Sequence, residues 1–207
     1  MKATDLLKQQ HEEVKELFEK VESAARSATK RQLFAELAAN LVAHDGIERE
    51  LFYPACEEEM GMTDLLGEAL VEHGLVEFSL YQADEAQGED DFDYKLKVLK
   101  EALEHHIEEE EQELFPKVNR AFEKEALETL GTELEEKFEQ LKQGDYRVPL
   151  RSNLKQVLQG VLKPSPKAKS APARASKARS KARSKASSSP SRGRKAGKKQ
   201  RKAARRP

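Results

Sequence analysis

A pattern of residues near position 50 recurs near position 110, and it constrains the fold more than any other feature of the sequence. In each copy a His is followed by a Glu four residues later and by a Pro ten residues later: His44, Glu48 and Pro54, then His106, Glu110 and Pro116. Side chains four positions apart share one face of an α-helix, so each copy can present an imidazole and a carboxylate to one metal ion. The repetition predicts two ions or one paired site.

Apolar residues recur at helical spacing through most of the first 163 residues, and no useful stretch alternates as a β-strand does. The apolar stripes predict helices from residue 4 onward and at about 30–60, 63–86 and 91–122, with further helices at 125–142 and about 152–162. Thr4 and Thr63 are predicted N-caps, and Pro54 is expected to kink or weaken the second helix. We expect an all-α fold, an up-down-up-down four-helix bundle with one or two extra C-terminal helices.

The distribution of charge divides the chain. Residues 164–207 contain 17 Lys and Arg and no Asp or Glu, whereas residues 1–163 carry 20 basic and 38 acidic residues. We therefore predict a helical bundle at 1–144, including a fifth helix at 125–143, and a linker with a short amphipathic helix at 145–163. Residues 164–207 lack aromatic and large aliphatic residues, and we expect a disordered basic tail there.

Four of the five His residues lie in the apolar stripes, one on each long helix: His11, His44, His73 and His106. Three of them are followed four residues later by a Glu in the same stripe: Glu48, Glu77 and Glu110. Burying so many uncompensated imidazoles and carboxylates costs several kcal/mol per charge, and a bound cation supplies the compensation. The apolar phase of the fourth helix selects His106, since His105 is turned about 100° away.

The donor types narrow the choice of ion. Cys56 is the only cysteine, so an intrachain disulfide and a Cys-rich zinc site are both excluded. We interpret Cys56 as a small buried apolar group. Imidazole with carboxylate suits iron, manganese or zinc. The ferritin-like carboxylate site needs a Glu three residues before a His, and that position never holds Glu here.

In their order, these motifs resemble a known family. Residues 4–143 are similar to the haemerythrin-like, or HHE cation-binding, domain. The similarity lies in the order of a first His, a His-x-x-x-Glu, a third His and a second His-x-x-x-Glu followed by Leu-Phe-Pro. The resemblance implies a non-haem di-iron site whose terminal ligands are His11, His44, His73 and His106, with Glu48 and Glu110 as bridging carboxylates. Two iron ions are thus the expected cofactor, with zinc or manganese as the alternatives.

The chain departs from the oxygen-carrying haemerythrins at two places. Those proteins have another His four residues after the His of the third helix, and Glu77 stands at that position here. Their last carboxylate ligand comes five residues after the His of the fourth helix, and Glu110 has that spacing from His105 but not from His106. Glu77 and His105 are therefore further candidate ligands. The departures favour sensing or binding of oxygen, nitric oxide or the iron and redox state over reversible oxygen carriage. The alternatives are a di-iron oxidase or peroxidase and a nucleoid-associated architectural protein with a structural metal site.

The basic tail predicts an anionic partner. Its composition resembles that of linker-histone tails, and without aromatic residues for base stacking it should bind the phosphates of DNA or RNA non-specifically. The candidate nucleic-acid-binding residues are Lys167, Lys169, Arg174, Lys177, Arg179, Lys181, Arg183, Lys185, Arg192, Arg194, Lys195, Lys198, Lys199, Arg201, Lys202, Arg205 and Arg206.

Other functional signals are weak in this sequence. No Ser/His/Asp motif, phosphate-binding loop or dinucleotide fingerprint is present, so we predict no catalytic residues and favour binding over turnover. Tyr53 and Tyr81 are interpreted as core aromatics with solvated hydroxyl groups, and donation to the site is the alternative. With no apolar run long enough to span a membrane and no signal peptide, we expect a cytoplasmic protein that associates with the nucleoid through its tail.

Overall fold

The computed structural model describes residues 1–159. The basic tail and the last residues of the predicted sixth helix lie outside this range. The helices are α1 (Ala3–Ser23), α2 (Ser27–Ile47), α3 (Tyr53–Met60), α4 (Asp64–Glu85), α5 (Phe92–Glu109), α6 (Phe115–Ala121), α7 (Lys124–Lys142) and α8 (Arg147–Leu158). The predicted all-α bundle is confirmed: short connections join α1 to α2 and α4 to α5, while residues 48–63, which include α3, connect α2 to α4. None of the helices in the described range is long and apolar enough to cross a membrane.

Two π-helical turns interrupt the second and fourth predicted helices. They span Glu48–Phe52 and Glu110–Leu114, and α3 and α6 follow them directly. Pro54 and Pro116 lie at the starts of α3 and α6, where each ring would clash with the carbonyl four residues earlier in a regular helix. The wider turns remove that clash, so the expected weakening at Pro54 takes the form of a π turn.

The core consists of two apolar clusters with the histidines between them. In the first cluster the rings of Phe34 and Phe92 meet edge to face at 5.2 Å, and in the second those of Phe52 and Phe115 do so at 5.8 Å. Each of the four long helices contributes most of its first-cluster residues from one side of its His. Residues on the other side, or in the turn that continues the helix, belong mainly to the second cluster. The bundle therefore encloses a polar layer between two apolar layers, each buried Phe contributing about 1.5–3 kcal/mol.

The two predicted N-caps have different outcomes. Thr63 caps α4, since its hydroxyl accepts a hydrogen bond from the backbone N–H of Leu66. The prediction for Thr4 is wrong, because α1 already begins at Ala3 and the buried Thr4 hydroxyl donates to Oδ1 of Asn119. A tertiary contact takes the place of the local cap.

Helix α8 begins five residues before the predicted start at residue 152. Pro149 lies in its first turn, where a missing backbone N–H costs nothing because that N–H has no helical partner. Asp84 on α4 holds this start: it accepts a hydrogen bond of 2.6 Å from the Tyr146 hydroxyl and two bonds of 2.9 and 3.0 Å from the Arg147 guanidinium. Residues 145–159 therefore pack on the bundle.

Candidate metal centre

Four buried imidazoles meet in the polar layer. His11 lies on α1, His44 on α2, His73 on α4 and His106 on α5, and each is between 2% and 5% exposed. Their Nε2 atoms point towards one another, and those of His11 and His44 are 3.2 Å apart. The apolar stripes of four helices thus bring four nitrogen donors to one place.

The outer nitrogen, Nδ1, of every one of these imidazoles has an acceptor. Nδ1 of His11 lies 2.9 Å from an oxygen of Glu111, and Nδ1 of His44 lies 2.8 Å from that of Gln10. Nδ1 of His73 lies 2.5 Å from an oxygen of Asp45, and Nδ1 of His106 lies 2.9 Å from one of Glu72. Such a bond places the proton on Nδ1 and directs the Nε2 lone pair inwards. The four imidazoles are thereby oriented as metal ligands are.

These acceptors form a closed ring around the bundle. Gln10 precedes His11 in sequence but is the acceptor for Nδ1 of His44, and Asp45 follows His44 but is the acceptor for Nδ1 of His73. Glu72 precedes His73 but is the acceptor for Nδ1 of His106, and Glu111, directly after Glu110, is the acceptor for Nδ1 of His11. Sequence reasoning missed all four acceptors, although each is the immediate neighbour of a candidate ligand.

Two carboxylates lie among the Nε2 atoms. Oε2 of Glu48 is 3.2 Å from Nε2 of both His44 and His73, and Oε2 of Glu110 is 3.4 Å from Nε2 of His11 and 3.6 Å from that of His106. Around an ion with bonds of about 2.1 Å, neighbouring ligand atoms lie about 3.0 Å apart in an octahedron and about 3.4 Å apart in a tetrahedron. The separations therefore fit donors that share a cation.

Several buried polar atoms of the polar layer lack a hydrogen-bond partner among the described residues, which also indicates a bound cation. Both carboxylate oxygens of Glu48, Oε2 of Glu110 and Nε2 of His106 are buried without a hydrogen-bond partner. Buried polar atoms are rarely left unpaired, because each costs about 1–3 kcal/mol. These atoms fall into two groups that share Glu48: one contains His11, His44, Glu48 and Glu110, and the other Glu48, His73 and His106. The donor set thus fits bound cations.

The electrostatics of the centre favour positive charge. Burial opposes protonation of His11, yet the nearby carboxylate of Glu110 and the hydrogen bond with Glu111 outweigh burial and raise the pKa of His11 to about 9. Burial also opposes protonation of His73, whose pKa is nevertheless raised well above the usual value by the hydrogen bond with Asp45 and by the adjacent carboxylate of Glu48. The same carboxylates that attract a proton attract a metal ion.

Tyr53 belongs to the centre, and the interpretation of its hydroxyl as solvated is wrong. The side chain is 2% exposed, and its hydroxyl lies 2.7 Å from Nε2 of His73 and donates a hydrogen bond of 2.8 Å to Oε1 of Glu110. Burial, followed by the charge of Glu110, raises the pKa of Tyr53 well above the usual range, so the hydroxyl remains a donor. Tyr81, in contrast, is a partly buried residue that packs against the first apolar cluster.

The two further candidate ligands lie apart from these groups. Glu77 is buried; its Oε1 accepts a hydrogen bond of 3.2 Å from Nη1 of Arg49, and its Oε2 has no hydrogen-bond partner among the described residues. Burial and the charge of Asp45 raise the pKa of Glu77 to about 8, against the opposing effect of Arg49. His105 has a side chain 64% exposed and points away from the centre. The structure therefore brings His106, and not His105, into the polar layer.

A small cavity adjoins the centre. It has a volume of about 20 Å³ and is lined by His44, His73 and His106, with Glu77 and Asp45 and apolar side chains from α2, α4 and α5. A space of about 10–15 Å³ already accommodates one water molecule. The cavity therefore has room for a molecule of about that size beside three of the imidazoles.

Comparison with known proteins places the chain in a family. Residues 2–118 match the family model described as Hemerythrin HHE cation binding domain. The chain is similar to the crystal structure of a hemerythrin HHE cation binding domain-containing protein from Mycobacterium kansasii. The two sequences are 29% identical, the TM-score is 0.63, and the alignment covers 78% of this chain and 99% of that one. A comparison with the curated proteins gave no significant match. Because the family model covers more than half of the chain, the protein belongs to the haemerythrin HHE cation-binding family.

Proposed function

We propose that the protein holds a non-haem di-iron centre and uses it to sense or bind oxygen, nitric oxide or the iron and redox state. The proposed terminal ligands are His11, His44, His73 and His106, and the proposed bridging carboxylates are Glu48 and Glu110. The observation that carries the proposal is the set of buried, unpartnered oxygen and nitrogen atoms on Glu48, Glu110 and His106. A cation bound among these donors would compensate all of them.

We favour iron because the resemblance to the haemerythrin-like domain implies it, and the donors, imidazoles and carboxylates without a thiolate, suit iron as well as manganese and zinc. When bound, iron would supply a redox-active centre that accepts a small ligand. The residues of the chain orient the imidazoles through Nδ1, exclude bulk water with two apolar clusters and leave the cavity beside His73 and His106 for that ligand. This arrangement supports binding of a small molecule.

Metal analysis and a visible spectrum of the protein purified in air test this function. We expect about two irons per chain, as the two groups of donors indicate, with the charge-transfer absorption of iron(III). Glu48→Gln should lower the metal content strongly because Glu48 is common to both groups, whereas Glu50→Gln, at an exposed neighbour, should not. A folded protein with zinc or without metal would contradict the di-iron centre, and turnover with a reductant would favour the oxidase or peroxidase alternative.

We propose separately that residues 164–207, which lie outside the described residues, bind DNA or RNA through phosphate contacts. The support is the run of 17 Lys and Arg without an acidic residue. Each phosphate contact releases counterions, so affinity should fall steeply with salt concentration. Deletion of 164–207 should abolish salt-sensitive binding of a fluorescent duplex and leave the metal content unchanged. Undiminished binding after the deletion would assign any nucleic-acid affinity to the bundle.

A further inference from the structure

A second group of metal-competent side chains lies on the surface of the bundle. Glu72 on α4 and His105 and Glu109 on α5 each offer one ligand atom, and these atoms lie within 4.8 Å of one another. His105 and Glu109 are one helical turn apart, and Glu72 approaches them from the neighbouring helix. None of these three residues belongs to the proposed ligands of the buried centre.

The distances within this group suit a shared ion better than direct hydrogen bonds. Nε2 of His105 lies 3.5 Å from Oε1 of Glu72 and 3.4 Å from Oε1 of Glu109. Hydrogen bonds between nitrogen and oxygen are about 2.7–3.2 Å long. Ligand atoms on a tetrahedron around an ion with bonds of about 2.1 Å lie about 3.4 Å apart. One imidazole and two carboxylates would leave the fourth position to water.

The charges around the group also favour a cation. Carboxylate oxygens of Glu72 and Glu109 lie 3.5 and 3.4 Å from the same nitrogen of His105, so two negative charges approach each other at this place and repel. A cation between Glu72 and Glu109 would relieve this repulsion. The acidic excess of residues 1–163 should further increase the local concentration of divalent cations.

Glu72 connects this group to the buried centre. Its Oε1 faces His105, while its Oε2 accepts a hydrogen bond of 2.9 Å from Nδ1 of His106, a proposed ligand. One carboxylate thus touches both the exposed imidazole and the buried one.

We propose that Glu72, His105 and Glu109 form a surface site for a divalent cation, from which metal passes to the buried centre. Binding at the surface stands by itself, whereas the role in metal entry rests on the proposed function. His105→Gln and Glu109→Gln are suitable variants, because both leave the bond between Glu72 and His106 in place. Glu101→Gln is the matched control, since Glu101 is exposed on the same helix and pairs only with Lys97 among the described ion pairs.

The binding test is equilibrium dialysis of the full-length, iron-loaded protein against Zn²⁺, followed by metal counting. We expect the wild type and Glu101→Gln to take up an additional zinc ion that His105→Gln and Glu109→Gln do not take up. Equal additional zinc in all four proteins would overturn the surface site. A wild type without buried iron would contradict the proposed function alone, because the difference in zinc between the wild type and the variants can still be measured.

The entry test is the rate at which metal-free protein takes up Fe²⁺ under anaerobic conditions. We expect His105→Gln to load several-fold more slowly than the wild type and Glu101→Gln but to reach the same final iron content. An unchanged rate in His105→Gln would overturn the role in entry, and a lowered final content would instead identify His105 as a ligand of the buried centre. Circular dichroism establishes that the compared variants are equally folded.

Discussion

The hydroxyl of Tyr53, at the start of α3, donates a hydrogen bond of 2.8 Å to Oε1 of Glu110, at the start of the second π turn. This bond joins the two halves of the sequence repeat, because Tyr53 directly precedes Pro54 in one copy and Glu110 belongs to the other. It is also the one hydrogen bond that the Glu110 side chain receives among the described residues. The carboxylate is thereby held with its other oxygen towards His11 and His106.

Replacing Tyr53 by Phe should destabilise the metal-free protein. The substitution preserves the ring but leaves a buried carboxylate oxygen without its donor, and we expect the free energy of unfolding to fall by about 2 kcal/mol. Urea denaturation measures the change. Tyr81→Phe is the control and should have little effect, since Tyr81 is only partly buried. Equal stability of Tyr53→Phe and the wild type would show that the hydrogen bond contributes nothing.

Replacing Gln10 by Met should weaken metal binding while the fold is retained. Gln10 is buried and its side-chain oxygen is the acceptor for Nδ1 of His44, so Met fills the space but no longer orients the imidazole. Loss of such a partner typically lowers metal affinity about 10–100-fold. Competition with a chelator measures the affinity. Gln9→Met changes the exposed neighbour, and a similar loss in that variant would contradict a specific role for Gln10.

The stability of the metal-free protein should fall as pH rises from about 6.5 to about 9. Burial opposes a charge on His11, but Glu110 and Glu111 raise its pKa from 6.5 to about 9, so in this range the folded state holds a proton that the unfolded chain has released. A folded state that binds more protons loses stability with increasing pH.

Metal-loaded protein should show the opposite trend, because imidazole ligands must be deprotonated before they bind metal. Thermal unfolding at both ends of the range, with and without a chelator, measures the two trends. Metal-free protein that is more stable at the alkaline end would contradict the protonated state of His11.

Cys56 should be unreactive in the folded protein. Its side chain is fully buried in the second apolar cluster, and burial followed by the charges of Glu110 and Glu48 raises the pKa of the thiol far above its usual value. Alkylating reagents attack the thiolate, so modification should be slow in buffer and rapid in denaturant. Mass spectrometry of protein treated with iodoacetamide measures this, and rapid native modification would show that the cluster opens readily.

The sequence predicted the helices and the four buried imidazoles because a polar residue in an apolar stripe is visible from periodicity alone. Periodicity gives the face of each helix but not the side chain opposite it on the next helix. The bonds of Gln10, Asp45, Glu72 and Glu111 to histidines elsewhere in the chain could therefore not be predicted. Arg49 was missed for the same reason: it follows Glu48 in sequence, and only the folded structure shows that it pairs with Glu77.

Because the acceptors form a closed ring, the imidazoles of each helical hairpin depend on side chains from the other hairpin. The α1–α2 hairpin already contains His11, His44 and Glu48, yet the acceptor that holds His11 comes from Glu111, a hundred residues away. The α4–α5 hairpin likewise holds His73 only with the help of Asp45 from α2. Neither hairpin supplies acceptors for both of its own imidazoles, so a fully oriented set of ligands requires all four helices to have docked. In a cell, an incompletely folded chain would compete poorly for metal ions, and metal retention would mark the correctly assembled molecules.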